Sequence, residues 1–334
     1  MIDIYLNYIG SAYGSKTERN DPASLGQSIE DCERIVLKTG VRSRPVVAED
    51  EYTSDLALRA VRQLLQRGNI DDAAIDNLIV CTQTPDHLIP GVSSRLHGEL
   101  GLSKDCFTLD INQGCSGFIY GAHLVSSMIR ARASHESILV NADCYSRLIR
   151  PADLTTRILF GDAAAASYFS SRPRGLRLLY SRCYADGLGY NDFVARGSAI
   201  QPDVESESGI YMDGPAILGF ALRVVPEAIA AALAETGTSL EKIRMVIFHQ
   251  ANSFVIGKLA YKLQLRPEQV PQNCAELGNT VSASIPLLLL EQMPLLESGD
   301  LVIAVGFGVG LSWGAMVLER ASDFDESSAH HQHV

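Results

Sequence analysis

The chain has 334 residues, of which 46% are hydrophobic and 20% charged, the balance of a globular protein with a sizeable core rather than of a disordered chain. Its 28 basic and 39 acidic side chains leave a formal charge of −11, which argues against nucleic acid as a partner because phosphate neutralisation needs a basic surface. Seven scattered cysteines with no C-x-x-C pair suggest neither a disulfide framework nor a zinc site, and no metal or other cofactor is expected.

In chain order, MIDIYLNYIG shows no basic stretch leading into a long apolar run, and the run at 285–290 is too short to span a bilayer. No membrane association and a cytoplasmic location are therefore expected. Short β-rich runs then alternate with helical patterns: NLIVCTQ at 77–83, FTLDI at 107–111, a helix from Ser116, and SILVNAD at 137–143. The turn-rich segment around Pro173 and Gly175 divides the chain into 1–173 and 174–322, and the polar stretch 196–209 reads as a surface loop. Further on come RMVIFHQ at 244–250 and DLVIAVGFG at 300–308. This alternation predicts an α/β protein with largely parallel central strands. The end differs, because LVIAVGF and LSWGAMVLE are separated only by a Gly-rich turn, which permits a hairpin and makes the sheet mixed. Residues 323–334, acidic and then His-rich, read as a flexible, solvated tail.

The strongest chemical signal is FTLDINQGCSGF: a strand, a Gly-containing turn, Cys115, then a helix with Phe118, Ala122, Val125 and Ile129 at helical spacing. A helix N-terminus favours thiolate over thiol, and the flanking glycines let a substrate approach the sulfur. A buried, inert cysteine is the competing reading. His249, at the end of an apolar strand, is placed like a base or donor facing a cleft, although a core or capping histidine fits too. Asn279, in the turn Gly278-Asn279-Thr280, serves either as a helix cap or as a donor to a substrate oxygen. The loop 306–310, GFGVG, offers backbone N–H groups to an oxyanion or is a plain hairpin turn.

Taken together, TGVRSR at 39–44, CSGF at 115–118, FGDAAAA at 160–166, HQAN at 249–252, GNT at 278–280 and GFGVGLSWG at 306–314 resemble, in that order, the ketoacyl-acyl carrier protein synthase III family of the thiolase superfamily. The resemblance covers nearly the whole chain. It implies a five-layered α/β/α/β/α fold with two similar halves, a homodimer, and a catalytic Cys115, His249 and Asn279. The reaction it implies is decarboxylative Claisen condensation of a Cys-bound acyl primer with a malonyl thioester. Backbone N–H groups of Cys115 and Val309 match the oxyanion hole, and Phe307, Ile89, Phe254 and Arg34 match substrate-contacting positions. Two of these depart from the family pattern: Arg34 replaces a tryptophan before the TGVR motif, and Phe254 replaces an arginine after HQAN. The side chains that stack on adenine and pair with phosphate are thus replaced, so the expected primer donor is an acyl carrier protein or another donor than a simple short acyl-CoA. Lys258 and Lys262, one helical turn apart, are the expected carrier-docking pair. Rival readings are acyl transfer to an alcohol or amine on the same fold, a papain-like hydrolase, and a non-catalytic partner subunit.

Overall fold

The computed structural model describes residues 2–150, 153–196 and 209–322. The tail at 323–334, and the polar loop between its ends Arg196 and Gly209, lie outside the described residues. The first part runs β1 (Tyr5–Tyr13), β2 (Lys16–Arg19), α1 (Pro22–Leu25), α2 (Ile29–Thr39), β3 (Ser43–Val46), α3 (Thr53–Gly68), β4 (Asn77–Cys81), α4 (Val92–Leu100), β5 (Phe107–Ile111), α5 (Gly117–Arg130), β6 (Ser137–Asp143), α6 (Leu154–Arg157) and β7 (Ala163–Ser170). The second runs β8 (Leu176–Ala185), β9 (Phe193–Arg196), β10 (Gly209–Met212), α7 (Gly214–Thr236), β11 (Ile243–Phe248), α8 (Ser253–Lys262), α9 (Cys274–Leu277), α10 (Ser284–Gln292), β12 (Leu301–Gly308) and β13 (Ser312–Arg320).

The main sheet has the order β11-β12-β13-β8-β1-β7-β6-β4-β5. One pairing series occurs twice. In the first part β1 is antiparallel to β7, β7 antiparallel to β6, and β6 parallel to β4. In the second, β8 is antiparallel to β13, β13 antiparallel to β12, and β12 parallel to β11. The series join where Tyr5 and Leu6 of β1 face Arg177 and Leu176 of β8. These are the two similar halves of a thiolase-like fold.

The expectation of largely parallel central strands is corrected. The middle of the sheet, from β12 to β6, is antiparallel, and parallel pairs lie toward its two ends, at β11–β12, β6–β4 and β4–β5. The physical reason is the connection: β4, β5 and β6 are linked through α4 and α5, the helical crossovers that parallel neighbours require. The β12–β13 connection is a tight turn and returns the chain antiparallel, as the sequence pattern predicts.

Strand alternation then builds the layers. Ile138, Val140 and Ala142 of β6 pack with Leu56, Ala60 and Leu64 of α3 on one outer face, whereas Leu139 turns inward. Val302 and Ala304 of β12 likewise face inward, and Ile303 and Val305 join Val224, Val225 and Ala228 of α7 on the opposite outer face. The inward residues of both halves enclose α5 and α10, whose Phe118, Ala122, Leu287 and Leu288 are fully buried. Helix layers outside each half and between them make the α/β/α/β/α arrangement. Although α7 is long and apolar enough to cross a membrane, its buried side chains pack on the sheet as a core helix does.

Glycine brings α5 deep into this layer. A Cβ at Gly121 would lie 2.5 Å from a Leu139 methyl, and one at Gly117 would lie 2.4 Å from Cys81 Sγ. The N-terminus of α5 is thereby set against β12, and the residue before it, Cys115, meets the second half of the chain.

Candidate active site

Cys115 stands just before Ser116, the N-cap of α5, in a turn closed by Gly117 N–H donating to Gly114 O at 2.7 Å. It is 3% exposed. Gly308 at the end of β12 has φ +158°, and a Cβ there would lie 2.8 Å from Cys115 Cβ and 3.0 Å from Sγ, so glycine is what leaves the sulfur room. Backbone N–H groups of Val309 and Cys115 favour the anionic sulfur, but burial, with the nearby Asp143 carboxylate, outweighs them and pushes the thiol up to about 12. Burial thus outweighs the helix end that favours thiolate, and in this cavity the thiol is the favoured form of Cys115. Asp143 itself is fully buried, and desolvation raises it to about 7 although it accepts hydrogen bonds from Gln83 N–H and the Ser282 hydroxyl, both at 2.8 Å.

His249 follows β11 directly, and its N–H donates to Val305 O at 2.8 Å, which holds it in register with β12. The ring is 1% exposed, stands edge-on to Phe307 with centroids 5.7 Å apart, and has its Nδ1 2.8 Å from Ser284 Oγ. Burial lowers its pKa to about 3, so it is neutral throughout the physiological range.

Asn279 is fixed by its backbone, with its N–H donating to Leu159 O at 2.8 Å and its C=O accepting from Gly161 N–H at 3.0 Å. Val281 adopts φ +51°, an unfavourable conformation for a β-branched residue. That conformation turns its N–H onto Asn279 Oδ1 at 2.9 Å. With Oδ1 occupied, the amide is oriented and its Nδ2 is left as donor.

Cys115, His249 and Asn279 line one cavity of about 80 Å³, together with Phe307 and Gly308. Its remaining wall is mainly apolar: Leu159, Phe160, Phe193, Met212, Ile217 and Leu218, with Asn252 and Val255 of the α8 region. The other proposed site residues lie elsewhere. Phe254 is exposed on α8, with Lys258 Nζ 5.3 Å above its ring, and Lys262 is exposed one turn further on. Arg34 is exposed on α2 and pairs with Asp31 at 3.3 Å and Glu30 at 3.7 Å. Ile89 is 86% exposed and does not line the cavity of its own chain. Sequence reasoning missed Asp143, Ser282 and Ser284, and it assigned no role to Phe160 although FGDAAAA contains it. The signal for Phe160 is that motif, whose first residue bridges to Asn279.

Known proteins resemble this chain in both sequence and fold. The 3-oxoacyl-[acyl-carrier-protein] synthase III family model matches residues 109–187, and the C-terminal model of the same family matches residues 233–320. The β-ketoacyl-[acyl-carrier-protein] synthase III of Lactococcus lactis subsp. lactis is 33% identical over 307 residues, covering 90% of this chain and 94% of the relative. That of Trichodesmium erythraeum is 33% identical over 330 residues, covering 96% and 99%. Among solved structures, the β-ketoacyl-[acyl carrier protein] synthase III of Thermus thermophilus superposes with a TM-score of 0.86 at 34% identity, covering 94% of this chain and 98% of that one. The priming β-ketosynthase of the R1128 polyketide pathway superposes with a TM-score of 0.86 at 26% identity, covering 96% of each chain. With relatives this similar along nearly its whole length, and with Cys115, His249 and Asn279 converging on one cavity, the chain belongs to the 3-oxoacyl-[acyl-carrier-protein] synthase III family.

Proposed function

We propose that the protein catalyses decarboxylative Claisen condensation between an acyl group carried on Cys115 and a malonyl thioester. The observation that carries this reading is the orientation of Asn279: its Oδ1 is held by Val281, so its Nδ2 and the neutral His249 supply two donors in the cavity that holds the thiol. Cys115 Sγ attacks the primer thioester carbonyl, the donor's thiolate leaves, and the Cys115 proton ends on that leaving thiol. The malonyl thioester then loses CO2, and the bond's electron pair becomes an enolate whose oxygen accepts from His249 Nε2–H and Asn279 Nδ2–H. The enolate carbon attacks the acyl-Cys115 carbonyl, whose oxyanion accepts from the Cys115 and Val309 N–H groups. The new C–C bond forms, the C–S bond breaks, and Cys115 takes up one proton from solvent.

Phe307, edge-on to His249, shapes the malonyl side, and the apolar wall around Phe160 and Phe193 receives the primer. An acidic acyl carrier protein docks on α8 through Lys258 and Lys262, and Phe254 adds apolar contact there. A homodimer fits the edge of the sheet at β5, which among the described residues pairs with β4 and with no further strand. A cytoplasmic enzyme of specialised or fatty-acid-related biosynthesis fits the reduced cysteines. The boundary between the halves lies in the turn between β7 and β8, with 1–173 carrying the nucleophile and 174–322 carrying His249 and Asn279.

Mass spectrometry of the protein incubated with acyl-CoA and acyl-carrier thioesters tests the nucleophile, with Cys115→Ala expected to remain unmodified. His249→Ala and Asn279→Ala should still acquire the acyl group while malonyl decarboxylation falls by about 10²–10³, the loss typical for one oxyanion donor. Condensation at the wild-type rate in either variant would remove that residue from the mechanism, and an ester or amide product would show acyl transfer without C–C bond formation.

A further inference from the structure

The cavity at Cys115 is small. It has a volume of about 80 Å³, and among the described residues no charged side chain lines it. An apolar cavity of about 150 Å³ holds a six-carbon ring, so this one has room for an uncharged primer of about two to four carbons. A second cavity, of about 170 Å³, is lined by Val46, Ser146, Ile149 and Arg157 among others, and Phe160 lines both. Space for a longer acyl chain therefore adjoins the site, and the ring of Phe160 stands between.

Behind that ring is Tyr145. The two rings meet with centroids 5.1 Å apart and planes tilted by 32°, and Phe193 stands 6.3 Å from Phe160. Tyr145 is 3% exposed and packs in one buried cluster with Cys115, Leu159, Phe160 and Phe193, yet it lines neither cavity. Its place follows from the turn Tyr145–Arg147 after β6, whose backbone is held on both sides of the ring. The N–H of Cys144 donates to Thr84 Oγ1 at 2.8 Å, and that of Ser146 donates to Asp162 Oδ1 at 3.0 Å. The side chain is held as well, because its hydroxyl donates to Gln83 Oε1. That oxygen lies against Gly114, where a Cβ would come within 2.5 Å of it, so the phenol ends beside the residue that precedes the nucleophile. Burial, with the Asp143 and Cys115 charges adding to it, holds the phenol well above its ordinary range, so it stays a neutral donor to Gln83. A side chain fixed at its backbone, its ring and its hydroxyl gives Phe160 nowhere to turn, and a close-packed interior does not accept an added methylene without such a turn.

We propose that Tyr145 determines the size of the primer: its ring, anchored on Gln83, backs Phe160 and restricts acylation of Cys115 to short, uncharged acyl groups of about two to four carbons. The proposal rests on the reading in which Cys115 carries the primer. It names a residue that touches the wall rather than the reacting atoms, and its effect is on which acyl groups fit.

The test measures the second-order rate of Cys115 acylation, by mass spectrometry of the intact protein, with acetyl, butyryl, hexanoyl and octanoyl pantetheine. These probes carry neither nucleotide nor carrier, so docking does not enter. In the wild type the rate should fall by roughly 10–10²-fold between butyryl and hexanoyl, the discrimination that a methylene at the wall of a pocket supplies. Tyr145→Leu and Tyr145→Ala should remove most of that step, because Phe160 can then turn aside and open the way to the second cavity. Tyr145→Phe, which keeps the ring, should retain it. Long and short primers are compared within each variant, so any loss of folded protein cancels in the ratio. Octanoyl transfer to the wild type as fast as acetyl transfer would overturn the proposal without any variant being made. So would a butyryl-to-hexanoyl step that survives in both the Leu and Ala variants, or one that is lost in Tyr145→Phe. Acylation that persists in Cys115→Ala would instead sink the underlying reading, so the two failures are distinguishable.

Discussion

At Cys115 two physical effects oppose one another, and their sizes decide the resting state. A helix N-terminus is worth about 0.3–1 kcal/mol to an anion, up to about 2 in partly buried sites. Complete burial moves an ionisable group by as much as 3–5 pK units, at roughly 1.4 kcal/mol each. Burial wins here, and Asp143 adds to it. Alkylation of free Cys115 by iodoacetamide should therefore be slow at neutral pH and accelerate only in strongly alkaline solution. Asp143→Asn removes one cause of the raised pKa, so its alkylation profile should move to lower pH, and an unmoved profile would show that the carboxylate does not act on the sulfur. His249 carries the complementary prediction. Its folded value of about 3 lies below the ordinary 6.5, so its neutral burial contributes stability above pH 6.5 that is lost as pH falls toward 3. Decarboxylation should accordingly show no His249 titration between pH 5 and 8. An acid limb near 6.5 that disappears in a His249 variant would contradict it.

Among the elements, α5 and β12 hold the nucleophile between them, and α8 turns one face inward and the other to solvent. The glycines of α5 and the end of β12 act as spacers, since a Cβ at Gly117 or Gly308 would collide with Cys81 or Cys115. On α8 the buried Ile256 and Leu259 fix the inner face, which leaves Phe254, Lys258 and Lys262 exposed. An acidic carrier meeting this helix gains from both charge and apolar contact. Lys258→Glu with Lys262→Glu should raise KM for a carrier-borne substrate several-fold at low salt, with the difference shrinking as salt screens the charges. The acyl-CoA reaction serves as the internal reference, and an equal effect on both donors would exclude α8 as a carrier-specific surface.

Across the whole molecule, the layer holding α5 and α10 is shared by both halves, and Leu288 is fully buried within it. Leu288→Ala should cost about 2–5 kcal/mol. Because the cavity would adjoin both halves, denaturant melts followed by probes in each half should shift together, whereas a shift in one alone would show that the halves unfold independently. The strand runs, the hairpin at 301–319 and the order Cys115, His249, Asn279 were legible in the sequence because period-two apolar runs, Gly turns and motif spacing are local properties. The antiparallel centre of the sheet was not, since neighbours such as β1 and β8 are set by long-range pairing. The same holds within the site. The sequence by itself determined which groups carry the chemistry: a thiol beside a helix start, an imidazole after a strand and an amide in a turn. Only the tertiary structure decided their protonation and orientation, because desolvation of Cys115 and His249, the Asp143 charge and the contact between Ser284 and His249 arise from residues distant in the chain, and the bond from Val281 to Asn279 depends on a backbone conformation that local pattern does not reveal.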